Sequence, residues 1–422
     1  MRRLAASVIA AALVVTACSG RGGSERGSDE TDVLRIFGPY RGAEADLFAA
    51  SLARFELRTG IEVRYTGSAN FVSDLRARVL DGVSVPDVAI VPQPGVIDGL
   101  IGSDRLVPLD DTTLAAVEEN YGADGGELVD GRFAAPYRST IKSLVWYRPD
   151  VFDEHGWTVP TTLDQLTDLV EEIQAAPAAG LAPWCFTMFA GSATGWAATD
   201  WVEDLLLREA GPEVYDEWIS GERDFSDPEI VDAFETFRDL VLLNGRVAGG
   251  LAAIVETDVT EASGPLFGED PGCAMYKQAT FAADWFPDDV TVGDDVDFFV
   301  MPGDGGTPPL VTGGDHLVQF SDDERVDQLM QFLVSPDGSR EWARRGGYLS
   351  DRISVDGDYY DEIDQRFAGV LLEDRVERFD ASDSMPPEIG AALFWTEITN
   401  WIRGATTLDE FLATMDEARD PS

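Results

Sequence analysis

Between residues 33 and 91, apolar positions recur with two different periods. Residues 33–37 form a short apolar-rich run closed by Gly38-Pro39, the pattern of a buried strand followed by a turn. Ala45, Phe48, Leu52 and Phe55 then recur at three- and four-residue steps. They share one helical face, and Thr59-Gly60 ends that helix. A second strand is predicted over 61–65, a second helix over 71–80 and a third strand over 87–91. This alternation is the signature of a parallel sheet with covering helices. Ligands of such sheets bind beyond the carboxyl ends of the strands, which selects segments 38–44, 67–70 and 92–95.

Further on, residues 143–147 and 296–301 read as strands, the latter closed by Pro302. A helix is predicted over 162–176, with Thr161 or Thr162 as N-cap after Pro160. Others follow over 201–208 and 230–243, and the C-terminal third is mostly helical, over 326–334, 338–345, 389–404 and 408–415. No repeat of 20 to 50 residues is visible, which disfavours solenoids and propellers. A chain of 422 residues exceeds what one core organises, so two lobes are expected.

The first residues change the picture of location. Arg2 and Arg3 precede an apolar run over 4–15, and Val15-Thr16-Ala17-Cys18 follows. A basic start, an apolar stretch too brief to span a bilayer and small exit residues make residues 1–17 an export signal. Cysteine at the cut point makes it the lipoprotein kind, with Cys18 acylated and residues 18–32 serving as a Gly/Ser-rich tether. An ordinary signal with a chance cysteine is the alternative.

Formal charge is −47, and losing Arg2 and Arg3 makes it more negative. Such a body repels nucleic acid and anionic lipid headgroups. Molar salt is expected to raise its thermal midpoint by screening self-repulsion; an unchanged midpoint would refute this. Lys142 and Lys277 are the only lysines, a scarcity that a GC-rich genome would explain. With Cys18 used by lipid, Cys185 and Cys273 remain outside the cytoplasm; they either pair or stay as two buried thiols. Only two histidines, His155 and His316, argue against a metal site.

Catalytic patterns are missing: there is no Gly-x-Ser-x-Gly elbow, no His-Glu-x-x-His motif and no phosphate-cradling loop with its lysine. With 78 acidic residues, a glycosidase-like carboxylate pair carries no information. Binding chemistry is better represented. A pyranose offers an apolar C–H face and a rim of hydroxyls, so its site wants aromatic platforms beside charged hydrogen-bonding groups. Trp196 and Trp201 flank Asp200, Trp285 follows Asp284, and Trp395 follows Phe394, although each tryptophan is equally a core candidate. Pattern and composition alone stop at a two-lobed extracytoplasmic binding protein.

The mature chain also resembles the extracellular solute-binding proteins of sugar ABC transporters, and within them the alpha-glucoside-binding lipoproteins. The matching stretches are Pro86-Asp87-Val88-Ala89-Ile90-Val91-Pro92-Gln93-Pro94-Gly95, Ile141-Lys142-Ser143-Leu144-Val145-Trp146-Tyr147, Pro183-Trp184-Cys185, Ala193-Thr194-Gly195-Trp196 and Thr199-Asp200-Trp201-Val202-Glu203-Asp204. Val247-Ala248-Gly249-Gly250, Gln278-Ala279-Thr280-Phe281, Arg378-Phe379-Asp380, Met385-Pro386-Pro387 and Phe394-Trp395 follow in order. The resemblance implies an α/β, two-lobed periplasmic-binding-protein-like fold with several hinge crossovers and a helical C-terminal region. An N-terminal lobe would span 33–139 and 303–345, and a C-terminal lobe 140–300 and 346–422. Relatives carry a cysteine in each of the two matching stretches, which implies a Cys185–Cys273 bridge. Carried over residue by residue, the ligand set is Tyr40, Arg41, Ser68, Gln93 and Asp315 from the first lobe and Trp196, Asp200, Gln278 and Trp395 from the second. Arg138 and Phe281 stay open, either as contacts or as structural residues. The implied protein is a monomer without cofactor that closes on a small sugar such as trehalose, sucrose or maltose and delivers it to permease subunits. Rivals are the same fold holding a polyol or glycerol glycoside, a lipoprotein serving a sensor, and a secreted glycosidase.

Overall fold

The computed structural model describes residues 33–103, 105–122, 132–176, 180–352, 354–355 and 357–419. The export signal, Cys18 and the tether lie outside the described residues. The strands are β1 Val33–Gly38, β2 Glu62–Gly67, β3 Val88–Val91, β4 Ala134–Ile141, β5 Leu144–Tyr147, β6 Ala182–Trp184, β7 Cys273–Lys277, β8 Asp297–Val300, β9 Leu310–Gln319 and β10 Glu377–Phe379.

One sheet runs in the order β10-β9-β3-β1-β2, with β4 also paired to β9. β1 lies parallel to β2 and β3, as the alternation predicts. Because side chains alternate along a strand, the sheet has two buried faces. Leu34, Ile36, Val88 and Ile90 pack on Phe48, Leu52 and Phe55 of the Gly42–Thr59 helix. On the other face Phe37, Ala89 and Val91 meet Phe71, Leu75 and Val79 of the Phe71–Asp81 helix and Val96 and Ile97 of the Pro94–Ile101 helix.

The second sheet has the order β6-β7-β5-β8. One of its faces carries Val145 and Met275 into a core with Trp184, Trp201, Leu205, Phe234 and Phe237; the other carries Trp146 and Tyr276 against Phe286 and Phe367. Cys185 and Cys273 face each other with Cα atoms 5.4 Å apart, within the span of a disulfide.

Two strands missing from the periodicity join the sheets. β9 pairs antiparallel with β3 and β4, and its first residues, Leu310 to Thr312, pair with β10. β4 runs on through Lys142 and Ser143 into β5. Lys142 N donates to Val311 O (2.9 Å) and Met301 N to Ser143 O (2.8 Å), so the crossing strands are stitched together between the two sheets.

Several predicted helices differ at their ends. The helix expected over 201–208 begins at Trp196, because Gly195 at φ 117° turns the chain into it. The helix expected over 338–345 is a tight turn, Pro336–Gly338, followed by Arg340–Ala343. That expected over 389–404 opens with a wide π turn, Ile389–Phe394, before Trp395–Ile402. The segment 230–243 likewise divides into Pro228–Phe237 and a π turn, Arg238–Leu242.

Candidate functional site

The first-lobe wall is built from the carboxyl ends of β1, β2 and β3. After Gly38 the chain folds across the end of β2 so closely that a Cβ on Gly67 would stand 1.9 Å from Tyr40 O. Only glycine permits that crossing. Arg41 precedes the Gly42–Thr59 helix and is exposed. Ser68 Oγ donates to Asp74 Oδ2 (2.5 Å). Gln93 precedes the Pro94–Ile101 helix, and its Oε1 is buried with no hydrogen-bond donor. An orphaned buried acceptor of this kind is a place a ligand hydroxyl would fill.

The second-lobe wall comes from helix starts. A Cβ on Gly195 would stand 2.3 Å from Trp395 O, so the Trp196–Glu209 and Trp395–Ile402 helices meet backbone to backbone. Trp395 Nε1 donates to Ser382 Oγ (3.2 Å).

Between the walls lies a cavity of about 670 Å³, lined by Arg41, Ser68, Asn70 and Gln93 on one side and by Ser192, Pro387 and Trp395 on the other. Four sequence-predicted residues, Arg41, Ser68, Gln93 and Trp395, therefore meet around one space. The other five, Tyr40, Asp315, Trp196, Asp200 and Gln278, do not line it.

Tyr40 and Asp315 form a buried pair: the phenol donates to Asp315 Oδ2 (2.7 Å). Tyr40 packs among Phe48, Tyr65 and Trp342. Burial pushes the Asp315 carboxyl up, to about 6, against the lowering influence of Arg138 and the Tyr40 hydrogen bond. Arg138 itself pairs with Glu44 (2.9 Å) and lies 4.8 Å over the Trp342 ring. Gln278 Oε1 accepts from Ala279 N (2.9 Å) and its carbonyl accepts from Trp146 Nε1 (2.9 Å), bonds that hold it in its own lobe.

Trp196 and Asp200 belong to a network that sequence reasoning missed. Lys142 Nζ lies 3.0 Å from Asp200 Oδ1, pairs with Asp380, and stands 5.6 Å from the centre of the half-buried Trp196 ring. The Phe281 ring centre lies 5.9 Å from that of Trp196, with the ring planes at 63°. Glu203 accepts from Ala381 N (2.9 Å) and Ser382 N (3.1 Å). Burial pushes Asp200 up to about 7, and it pushes Glu203 and Asp383 well above the carboxylate range. Burial would also raise Asp380, but the Lys142 charge and hydrogen bond hold it low. Asp200, Glu203 and Asp380 bring oxygens within 4.8 Å of one another, a spacing a metal ion could use, yet the Lys142 ammonium already sits on two of them. The available signal was lysine itself: a chain that writes nearly every cation as arginine keeps its two lysines in this one region.

The sequence pattern described as bacterial extracellular solute-binding protein matches residues 41–340. The chain is 36% identical over 392 residues to the alpha-glucosides-binding periplasmic protein AglE of Rhizobium meliloti, covering 89% of this chain and 84% of that one. It is 34% identical over 407 residues to the osmoprotective compounds-binding protein GgtB of Synechocystis, covering 94% and 95%. Its fold matches that of a solved chitin oligosaccharide binding protein with a TM-score of 0.77, at 18% identity, over 92% of this chain and 98% of that one.

Proposed function

Because the chain belongs to the bacterial extracellular solute-binding proteins, which are binding components of transport and not enzymes, we propose that it captures an alpha-glucoside or similar small sugar for an ABC importer. The observation that carries this reading is the cavity of about 670 Å³. Its volume falls in the range of small-molecule sites. Trp395 offers an apolar surface there, and Arg41, Ser68 and Gln93 offer groups for hydroxyls. The name of the Rhizobium meliloti relative supports the same ligand class.

In this reading Tyr40, Asp315, Trp196, Asp200 and Gln278 join the contacts as the lobes move about the β4 and β9 crossings. Ligand that touches both walls stabilises the closed state by its differential contacts. The lobes follow the bounds 33–139 with 303–345 and 140–300 with 346–422, and a Cys185–Cys273 bridge braces the second. Cys18 ties the monomer to the outer face of the membrane, from which it delivers sugar to permease subunits.

Isothermal titration with maltose, sucrose, trehalose and glucose tests the ligand class, with heat and a contracted scattering profile expected for at least one disaccharide. No heat and an unchanged profile with every sugar would sink the reading. The name of the Synechocystis relative favours a second reading, a small osmoprotectant such as a polyol or glycerol glycoside. Including those compounds in the same titration decides between them.

A further inference from the structure

Lys142 and Lys277 are the only lysines among 31 basic residues, and both are buried: Lys142 follows β4, and Lys277, the last residue of β7, donates to Lys142 O (3.3 Å). Lys142 occupies the short link from β4 to β5, and its stem lies against Gly313 of β9, where a Cβ would come within 2.9 Å of Lys142 Cε. Its ammonium reaches Asp200 at 3.0 Å on the Trp196–Glu209 helix and pairs with Asp380. Asp380 in turn accepts from Ser382 Oγ (2.9 Å) and Asp383 N (2.7 Å), and Ser382 Oγ accepts from Trp395 Nε1 (3.2 Å). One side chain therefore touches both crossing strands, reaches the helix bearing Trp196 and Asp200 directly, and reaches Trp395 through Asp380 and Ser382.

We propose that Lys142 is a positioning residue for the second-lobe wall: without touching the ligand, it fixes that wall on the crossing strands and so sets ligand affinity. Charge gives it a second lever. Asp200 faces Lys142, Asp380 and Lys277, with Glu203 beside it, and Lys142 is the largest influence opposing the effect of burial on the Asp200 proton. An ionised Asp200 makes charge-assisted hydrogen bonds to hydroxyls that a protonated one does not.

The inference rests on the sugar-binding reading, and the test separates the two. The full chain, its Lys142→Met variant and its Lys142→Arg variant are titrated between about pH 5.5 and 8.5 with the sugar that the unaltered chain binds. In the unaltered chain, affinity is expected to weaken as pH falls through about 7, where Asp200 gains its proton. Lys142→Met is expected to bind at least about tenfold more weakly at neutral pH, with the midpoint of that pH dependence moved up by about one unit. Lys142→Arg keeps the charge but cannot fit its planar head in the same place over Gly313. It is expected to keep the midpoint and lose about three- to tenfold in affinity. A purely structural role would lower the melting temperature of both variants and leave affinity and midpoint untouched, which would overturn the proposal. If Lys142→Met does not fold, unaltered affinity in Lys142→Arg overturns it. If the unaltered chain binds no sugar, the functional reading falls and takes this one with it. Binding by the unaltered chain with no change in either variant removes only the role of Lys142.

Discussion

The two walls of the cleft are made in opposite ways. The first-lobe wall consists of turns that follow directly from parallel strands, and its cavity-lining residues Arg41, Ser68 and Gln93 lie within a few residues of a strand end. The second-lobe wall is held by pairs far apart in sequence: Lys142 with Asp200 spans 58 residues and Lys142 with Asp380 spans 238. A wall of the first kind is fixed by local backbone geometry, so its side chains can change with little cost to the fold. In the second, charge and fold are the same thing.

Four expectations would break or sharpen that contrast. The largest concerns Lys142→Met, which leaves buried carboxylates without their cation and should cost about 3–5 kcal/mol of unfolding free energy at pH 8. The cost should shrink at pH 5.5, where protons replace the missing charge; denaturant titration at the two pH values checks both statements. A loss no greater than that of a surface substitution would erase the contrast.

The next concerns pH. Burial raises the carboxyl pKa of Asp315 to about 6, Asp200 to about 7 and Asp364 to about 8. A carboxyl whose folded pKa is raised contributes stability that is fully present below its unfolded pKa and is lost as pH rises through the folded value. That loss starts at about pH 4 and is complete by about 6 for Asp315, about 7 for Asp200 and about 8 for Asp364, so the melting temperature should fall between about pH 6 and 8 on the Asp200 and Asp364 shares. His316 acts the other way: burial lowers it to about 4, so its contribution is lost as pH falls from about 6.5 toward that value. A melting temperature that rose from pH 6 to 8 would contradict the assignment.

Third is Tyr40→Phe, which removes the donor to a buried carboxylate and should cost about 1–3 kcal/mol by the same denaturant measurement. The smallest is Arg41→Ala. The side chain is exposed, so unfolding free energy should stay within about 0.5 kcal/mol while sugar affinity drops. Equal losses of stability in Arg41→Ala and Lys142→Met would show that the walls are not different in kind.

The same contrast decides what could be read from sequence. β1 to β3 and their helices were legible because strand and helix periods survive in short windows. β9 was not, because Thr312-Gly313-Gly314-Asp315 reads as a loop. The glycines are there for close approach: a Cβ on Gly313 would meet Lys142, and one on Gly314 would stand 2.5 Å from Arg138 O. The tryptophans were ambiguous for a related reason. Trp201 is 1% exposed and is core, whereas Trp395 at 8% still lines the cavity, a difference that depends on distant segments. Tyr40 and Asp315, both expected as ligand contacts, bond to each other across 275 residues and stand off the cavity, a pairing that no short window of sequence displays.

The burial of both lysines has a practical corollary. With Lys142 at 7% and Lys277 at 4% exposure, reagents that acylate or cross-link primary amines find no side chain to react with on the folded surface. Immobilising or labelling this protein calls for carbodiimide activation of its abundant carboxylates, and amine reactivity that appears on warming would report the moment the crossing strands come apart.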